Sequence, residues 1–176
     1  MRTRLVAGVI GGAAGLLAME VVRRVTSPLV EKWAHASPAH PPHRRSMSAI
    51  GTHHYPDESA TDALGRIAYE KITGHGPTAK AKRAASWAVH IGYGLKLGAI
   101  YGLLRAETCH PARDGLAFAF ASWLLVDELA SSLFGLADKP TAYPIASHVQ
   151  SLAQHVGYGL ALASTTRVAN ERLFGA

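Results

Sequence analysis

The chain has 176 residues, one domain by length, and a formal charge of +6, with only 17% charged residues, below the roughly 25% usual in soluble domains. Its single cysteine, Cys109, excludes an intramolecular disulfide and CxxC metal or redox chemistry. The cations flank apolar segments and form no stripe interleaved with aromatics, which argues against nucleic acid and for juxtamembrane contact with anionic headgroups. Mean hydropathy of +0.08 is low for a multi-spanning chain, but that average joins a polar, His- and Pro-rich stretch over 31–83 to an otherwise apolar sequence.

The first apolar run, Leu5 to Val22, follows Arg2 and Arg4 and contains one charge, Glu20. It has about 18 residues, the length of a membrane span. A cationic start before an apolar run also fits a signal peptide. However, the candidate cleavage site at Ala18-Met19-Glu20 is followed by Val21-Val22-Arg23-Arg24, which favours a retained helix. Gly8 with Gly12, and Gly11 with Gly15, are small-xxx-small pairs that let a second helix approach closely.

Residues 25–83 form the one long polar segment, where Pro28, Pro38, Pro41, Pro42 and Pro56 are expected to break helices. One short amphipathic helix is predicted inside it. Asp57 to Thr61 supply caps, Leu64, Ile67, Ala68 and Ile72 share a face, and Gly74 stops it. Such a helix suits a membrane surface or the flank of a bundle. His35, His40, His43, His53, His54 and His75 fall in or beside this segment. A His cluster can bind Zn or Cu, yet the spacing is irregular and no HExxH or second cysteine accompanies it, so a metal site stays unassigned.

The second apolar segment, 84–104, carries Gly94, Gly98 and Gly102, a GxxxGxxxG ridge that marks close helix contact in a bilayer. A short turn leads to the third, 115–136, which holds Asp127 and Glu128, and another turn leads to the fourth, 145–163. His90-Ile91-Gly92-Tyr93-Gly94-Leu95 in the second segment returns as His155-Val156-Gly157-Tyr158-Gly159-Leu160 in the fourth. The fold expected is therefore an all-α, four-helix transmembrane bundle with a parallel internal duplication and one polar loop. Ala14 to Glu20 aligns with Ala121 to Asp127, making Glu20 and Asp127 counterparts. Orientation stays open: Arg105 and Arg113 against Lys139 favour cytoplasmic termini, whereas Arg23, Arg24, Lys80, Lys82 and Arg83 in the long segment favour the reverse.

Lys96, Asp127, Glu128, His90 and His155 form the expected polar intramembrane core, because ionisable groups at membrane depth face inward and pair. A buried ion pair of Lys96 with Asp127 or Glu128 is the structural reading. A proton or ion pathway through the same residues is the functional one. Ligation of haem or a metal by His90 and His155 is a further alternative, though no cofactor is required by any motif. Gly94, Gly98, Gly102, Gly157 and Gly159 are expected to pack helices, within the chain or against a second copy or membrane partner. No GxSxG, P-loop or strand-borne GxGxxG is present, which argues against an enzyme.

Residues from His90 through Tyr101-Gly102 and Ala106-Glu107, then Asp127-Glu128, Gly135-Leu136, Tyr143-Pro144 and His155 to Tyr158-Gly159, resemble the YagU-like inner-membrane proteins of unknown function. The resemblance covers about the last ninety residues plus a first span. It implies a multi-pass protein of the bacterial inner membrane with a link to acid tolerance, and supplies no catalytic residue. Residues 31–83 do not share it.

Overall fold

In the computed structural model, which describes residues 1–36, 47–56, 58–105 and 109–175, every regular element is helical. Helix α1, Arg2–Ala36, is long because Gly, Ala and aliphatic residues continue without a turn signal. It also runs straight through Pro28, where the sequence suggested a break. Proline removes the N–H that would bond the Arg24 carbonyl. The turn before it is held instead by Thr26 Oγ1 donating to the Val22 carbonyl at 2.8 Å and Ser27 Oγ donating to that of Arg23 at 2.7 Å, the back-bonding that accompanies tolerated bends. Pro38, Pro41, Pro42, His40, His43, Asp57 and Glu107 lie outside the described residues.

Helix α2, Ala60–Thr73, opens on a reciprocal capping box between Ser59 and Asp62 and closes on Gly74 at φ 76°, whose N–H returns to the Glu70 carbonyl. The side it packs within the chain is not its apolar face. Ala63, Gly65 and Arg66 are buried, whereas Leu64 and Ile72 are exposed. The reason is local: a Cβ on Gly65 would lie 2.8 Å from the Ala85 carbonyl carbon and the Ser86 nitrogen, so α2 crosses the next helix backbone to backbone.

Helix α3, Ala79–Arg105, leads to α4, which starts with Pro111 at its first turn. Helix α4 is α-helical to Ser122, widens into a π-helix over Trp123–Ala130, and resumes over Ser131–Leu133 before Gly135 turns the chain at φ 68°. A 3₁₀ turn at Pro140–Ala142 precedes α5, Ile145–Phe174. Among the described residues two helical stretches, Arg2–Trp33 and Pro111–Leu133, are long and apolar enough to cross a membrane. The other two expected spans fall short. Helix α3 carries Lys80, Lys82, Arg83, Lys96 and Arg105, and α5 carries His148, Gln150, Gln154 and His155.

The chain divides into two compact units where its length suggested one domain. The first comprises Met1–Ala39, Tyr93–Leu124 and Pro144–Ala176, and the second His40–Gly92 and Leu125–Tyr143. In the first unit glycine sets the helix spacing. A Cβ on Gly98 would stand 2.5 Å from the Gly8 carbonyl oxygen and 2.6 Å from Gly12 Cα, and one on Gly102 would stand 2.6 Å from Gly8 Cα. The order of these contacts makes α1 and α3 antiparallel. Gly15 meets Tyr158 and Gly11 meets Leu162 and Thr166, so α1 and α5 are also antiparallel. Helix α4 meets α5 through Gly115, Gly159, Ala119 and Ala163. Many large apolar side chains stay outside: Leu17, Val21, Val25, Leu29, Phe120 and Leu104 are all exposed, whereas Leu162 is fully buried.

Candidate functional site

The first unit's interior is small and polar for a helical core. Tyr101, Leu162, Thr166 and Asn170 are its largest fully buried side chains. Tyr158 joins two helices by donating its hydroxyl to the Gly94 carbonyl at 2.6 Å, which the close approach of Gly94 to Leu16 and Gly12 places within reach. Tyr101 stands edge-on to Phe118 with ring centroids 5.2 Å apart. Among the described residues the Tyr101 hydroxyl, Thr166 Oγ1 and Asn170 Oδ1 are buried without a hydrogen-bond partner. Thr166 and Asn170 are one turn apart on α5 and therefore share a face. An unsatisfied buried polar group costs about 1–3 kcal/mol, so such groups in a well-packed interior call for a function.

The five ionisable residues expected to form one polar core are divided between the units. Lys96 and His155 belong to the first; His90, Asp127 and Glu128 belong to the second. Lys96 is exposed, and its ammonium sits 4.4 Å over the centroid of the Tyr93 ring, a cation–π contact made along its own helix. His155 is half-buried, with Nδ1 donating to the Ser151 carbonyl at 2.9 Å. His90 is half-buried and edge-on to Trp87. Asp127 and Glu128 lie in the π-helical stretch, whose wider turn leaves Asp127 exposed and Glu128 half-buried. Ser131 Oγ donates to the Asp127 carbonyl, and Ser132 Oγ to the Glu128 carbonyl at 3.2 Å. A π-turn inside an α-helix costs stability and recurs at functional sites, so this is the segment of α4 where the sequence's acidic pair and the backbone irregularity coincide. Glu20, its counterpart by alignment, instead bonds Arg23 and Arg24 at 2.7 Å.

The second unit holds a charge network the sequence did not disclose. Glu58, its side chain 1% exposed, pairs with Arg66 at 3.0 Å and Lys82 at 2.8 Å and accepts the Tyr55 backbone N–H at 2.9 Å. Arg66 also donates to the His53 carbonyl at 2.6 Å and lies 4.0 Å over the Tyr55 ring. Burial alone would raise the Glu58 pKa. The hydrogen bonds from Arg66, Lys82 and Tyr55 outweigh it and hold the carboxyl at about 2. Burial likewise acts to lower Arg66, but its bond to Glu58 dominates and raises it. Eight residues separate Glu58 from Arg66 and the cap at Ser59 intervenes, so no helical i, i+4 rule pairs them.

Of the expected histidine cluster, His54 is half-buried with its side chain against the turn after α4, His53 is exposed, and His75 is exposed beside Tyr69. Among the described residues no group of three or more His, Cys, Asp or Glu is placed to hold a metal ion. Comparison with protein-family models, with curated proteins and with solved structures gives no match.

Proposed function

We propose that this chain is an integral membrane protein, a multi-pass bundle of the bacterial inner membrane, whose interior passes protons or a small ion. The observation that carries the reading is the packing of the first unit. Its closest helix contacts are made by Gly and Ala around a small core of Met19, Tyr101, Tyr158 and Leu162 with buried Thr166 and Asn170, while Leu17, Val21, Val25, Leu29, Leu104 and Phe120 face outward. In water this arrangement forgoes the main driving force for folding. In lipid, outward aliphatics cost nothing and small residues supply the helix contacts. A helix too polar to enter alone, such as α3 or α5, is accommodated by neighbours that bury its polar face.

The matching contacts support a duplication of the helix pair. Gly8 against Gly98 corresponds to Gly115 against Ala163, and Gly12 against Gly94 corresponds to Ala119 against Gly159. The same two offsets align Glu20 with Asp127 and the two His-x-Gly-Tyr-Gly phrases. Backbone contacts this close leave no room for a wide pore. Tyr101, Thr166 and Asn170 offer a polar route suited to protons or a dehydrated ion rather than a bulky solute. The link to acid tolerance rests on the YagU-like resemblance alone.

A second reading, a non-transporting subunit that binds a membrane partner, is favoured by the exposed Leu64 and Ile72 on α2. Proton flux into liposomes between pH 4 and 8 separates the two. Flux above that of empty vesicles, reduced by Thr166→Val or Asn170→Leu, supports passage. Flux equal to empty vesicles supports the subunit.

A further inference from the structure

We propose that residues 47–56 are a strap latched by a protonated His54 onto the turn that follows α4, so that the strap releases when this imidazole loses its charge. The inference concerns the second unit alone and does not depend on the transport reading.

The His54 side chain is buried, 8% exposed. Nδ1 lies 2.9 Å from the Gly135 carbonyl oxygen, and Nε2 lies 3.5 Å from Asp138 Oδ1. A carbonyl oxygen can only accept, so Nδ1 carries the hydrogen. In the neutral ring Nε2 would then direct a lone pair at a carboxylate, an unfavourable contact. In the imidazolium both nitrogens donate, and the ring satisfies a carbonyl on one side and an anion on the other. The geometry is therefore complementary to the charged form.

Both ends of the latch are fixed in place. The Gly135 carbonyl also accepts the His53 backbone N–H at 2.8 Å. Gly135 has φ 68°, and a Cβ there would meet the Gly51 carbonyl and come within 3.2 Å of Ser48 Oγ, so strap and turn touch through backbone. Asp138 is oriented by its N–H donating to the Tyr143 hydroxyl at 3.1 Å and by its carbonyl accepting from Ser132 Oγ at 2.7 Å. The charged groups around the latch come from three elements. Glu58, just beyond the strap, is committed to Arg66 and Lys82, while Arg66 of α2 bonds the His53 carbonyl. The turn contributes Asp138 and, next to it in sequence, Lys139, and Asp127 and Glu128 of α4 act on Tyr143. Imidazole is the side chain that changes charge within about pH 5–8.

The experiment follows hydrogen exchange of the His53 amide in the purified full-length protein across pH 5 to 9, corrected for intrinsic exchange. Wild type is expected to lose at least tenfold in protection from the acid to the alkaline end. His54→Gln should be weakly protected and flat across the range, and His53→Gln, read at the neighbouring amides 54 and 55, should keep the wild-type profile. Asp138→Asn, which keeps the imidazole but removes its anion, should shrink the change and stands in if His54→Gln fails to fold. A flat wild-type profile, or an unaltered one in either His54→Gln or Asp138→Asn, would overturn the proposal.

Discussion

Two Gly→Ala substitutions on the same helix should change stability in opposite directions, and the structure supplies the magnitudes. Gly92 has nothing within 4 Å of the position a Cβ would take. Alanine there removes the conformational cost of glycine in a helix, a gain of about 1 kcal/mol. At Gly98 the three nearest atoms to a new Cβ are the Gly8 carbonyl oxygen at 2.5 Å, Gly12 Cα at 2.6 Å and Gly12 N at 2.9 Å. All three are backbone, so no side chain can swing aside and α1 must move away from α3. Overpacking costs about 1–3 kcal/mol, and a rigid backbone obstacle puts Gly98 at the upper end. Set against the same propensity gain, Gly98→Ala should lose about 2 kcal/mol, leaving the two variants about 3 kcal/mol apart. Gly98→Leu should be worse still. Reversible unfolding in detergent or bicelles, followed by circular dichroism, measures the difference. Equal stability for Gly92→Ala and Gly98→Ala would refute the claim that glycine contacts set the α1–α3 distance.

Other outcomes follow from the polar contacts. Tyr158→Phe removes the donor to the Gly94 carbonyl and should cost about 1 kcal/mol, read in the same unfolding assay. Glu58→Gln removes the buried anion shared by Arg66 and Lys82, leaving Arg66 its pair with Glu70 at 3.3 Å, and should destabilise by about 3 kcal/mol. The folded Glu58 carboxyl is held at about 2 against an ordinary 4.5, so its contribution is complete above pH 4.5 and is lost as pH falls towards 2. Glu58→Gln should flatten the stability curve in that window, and an unchanged acid limb would count against the network. Lys96→Met should cost no more than about 1 kcal/mol, the size of an exposed cation–π contact. A loss of several kcal/mol would restore the buried ion pair that the exposed Lys96 replaces.

The parts of this fold legible in sequence are those written by local chemistry. Ser59 and Gly74 bound α2 because capping depends on a few adjacent residues, and the spacing of Gly94, Gly98 and Gly102 marks a face that another helix approaches. The face itself does not name its partner: α1, bearing Gly8 and Gly12, is almost ninety residues away. Periodicity grouped Leu64 with Ile72 on one face of α2 but did not disclose that the opposite side packs, where Gly65 seats the helix against Ala85 and Ser86. Pro28 was a poor guide because Thr26 and Ser27 supply hydroxyls to the turn preceding it. Grouping Lys96 with Asp127, Glu128, His90 and His155 rested on shared depth along the helices, which does not reveal each group's immediate neighbours. Lys96 found an aromatic neighbour three residues away, and the π-helix set the exposure of Asp127 and Glu128, which no spacing rule anticipates. The Glu58–Arg66–Lys82 network and His54–Asp138 join positions 8 to 84 residues apart, and only folding reveals such pairs.

The central claim is that the first unit's outward aliphatics face lipid. It is tested most directly by expressing the full-length chain, separating membranes from soluble protein, and washing the membranes with alkaline carbonate. The account expects the chain to stay in the pellet after the wash and to enter solution only with detergent. A monodisperse, helical protein recovered in the soluble fraction without detergent would contradict it.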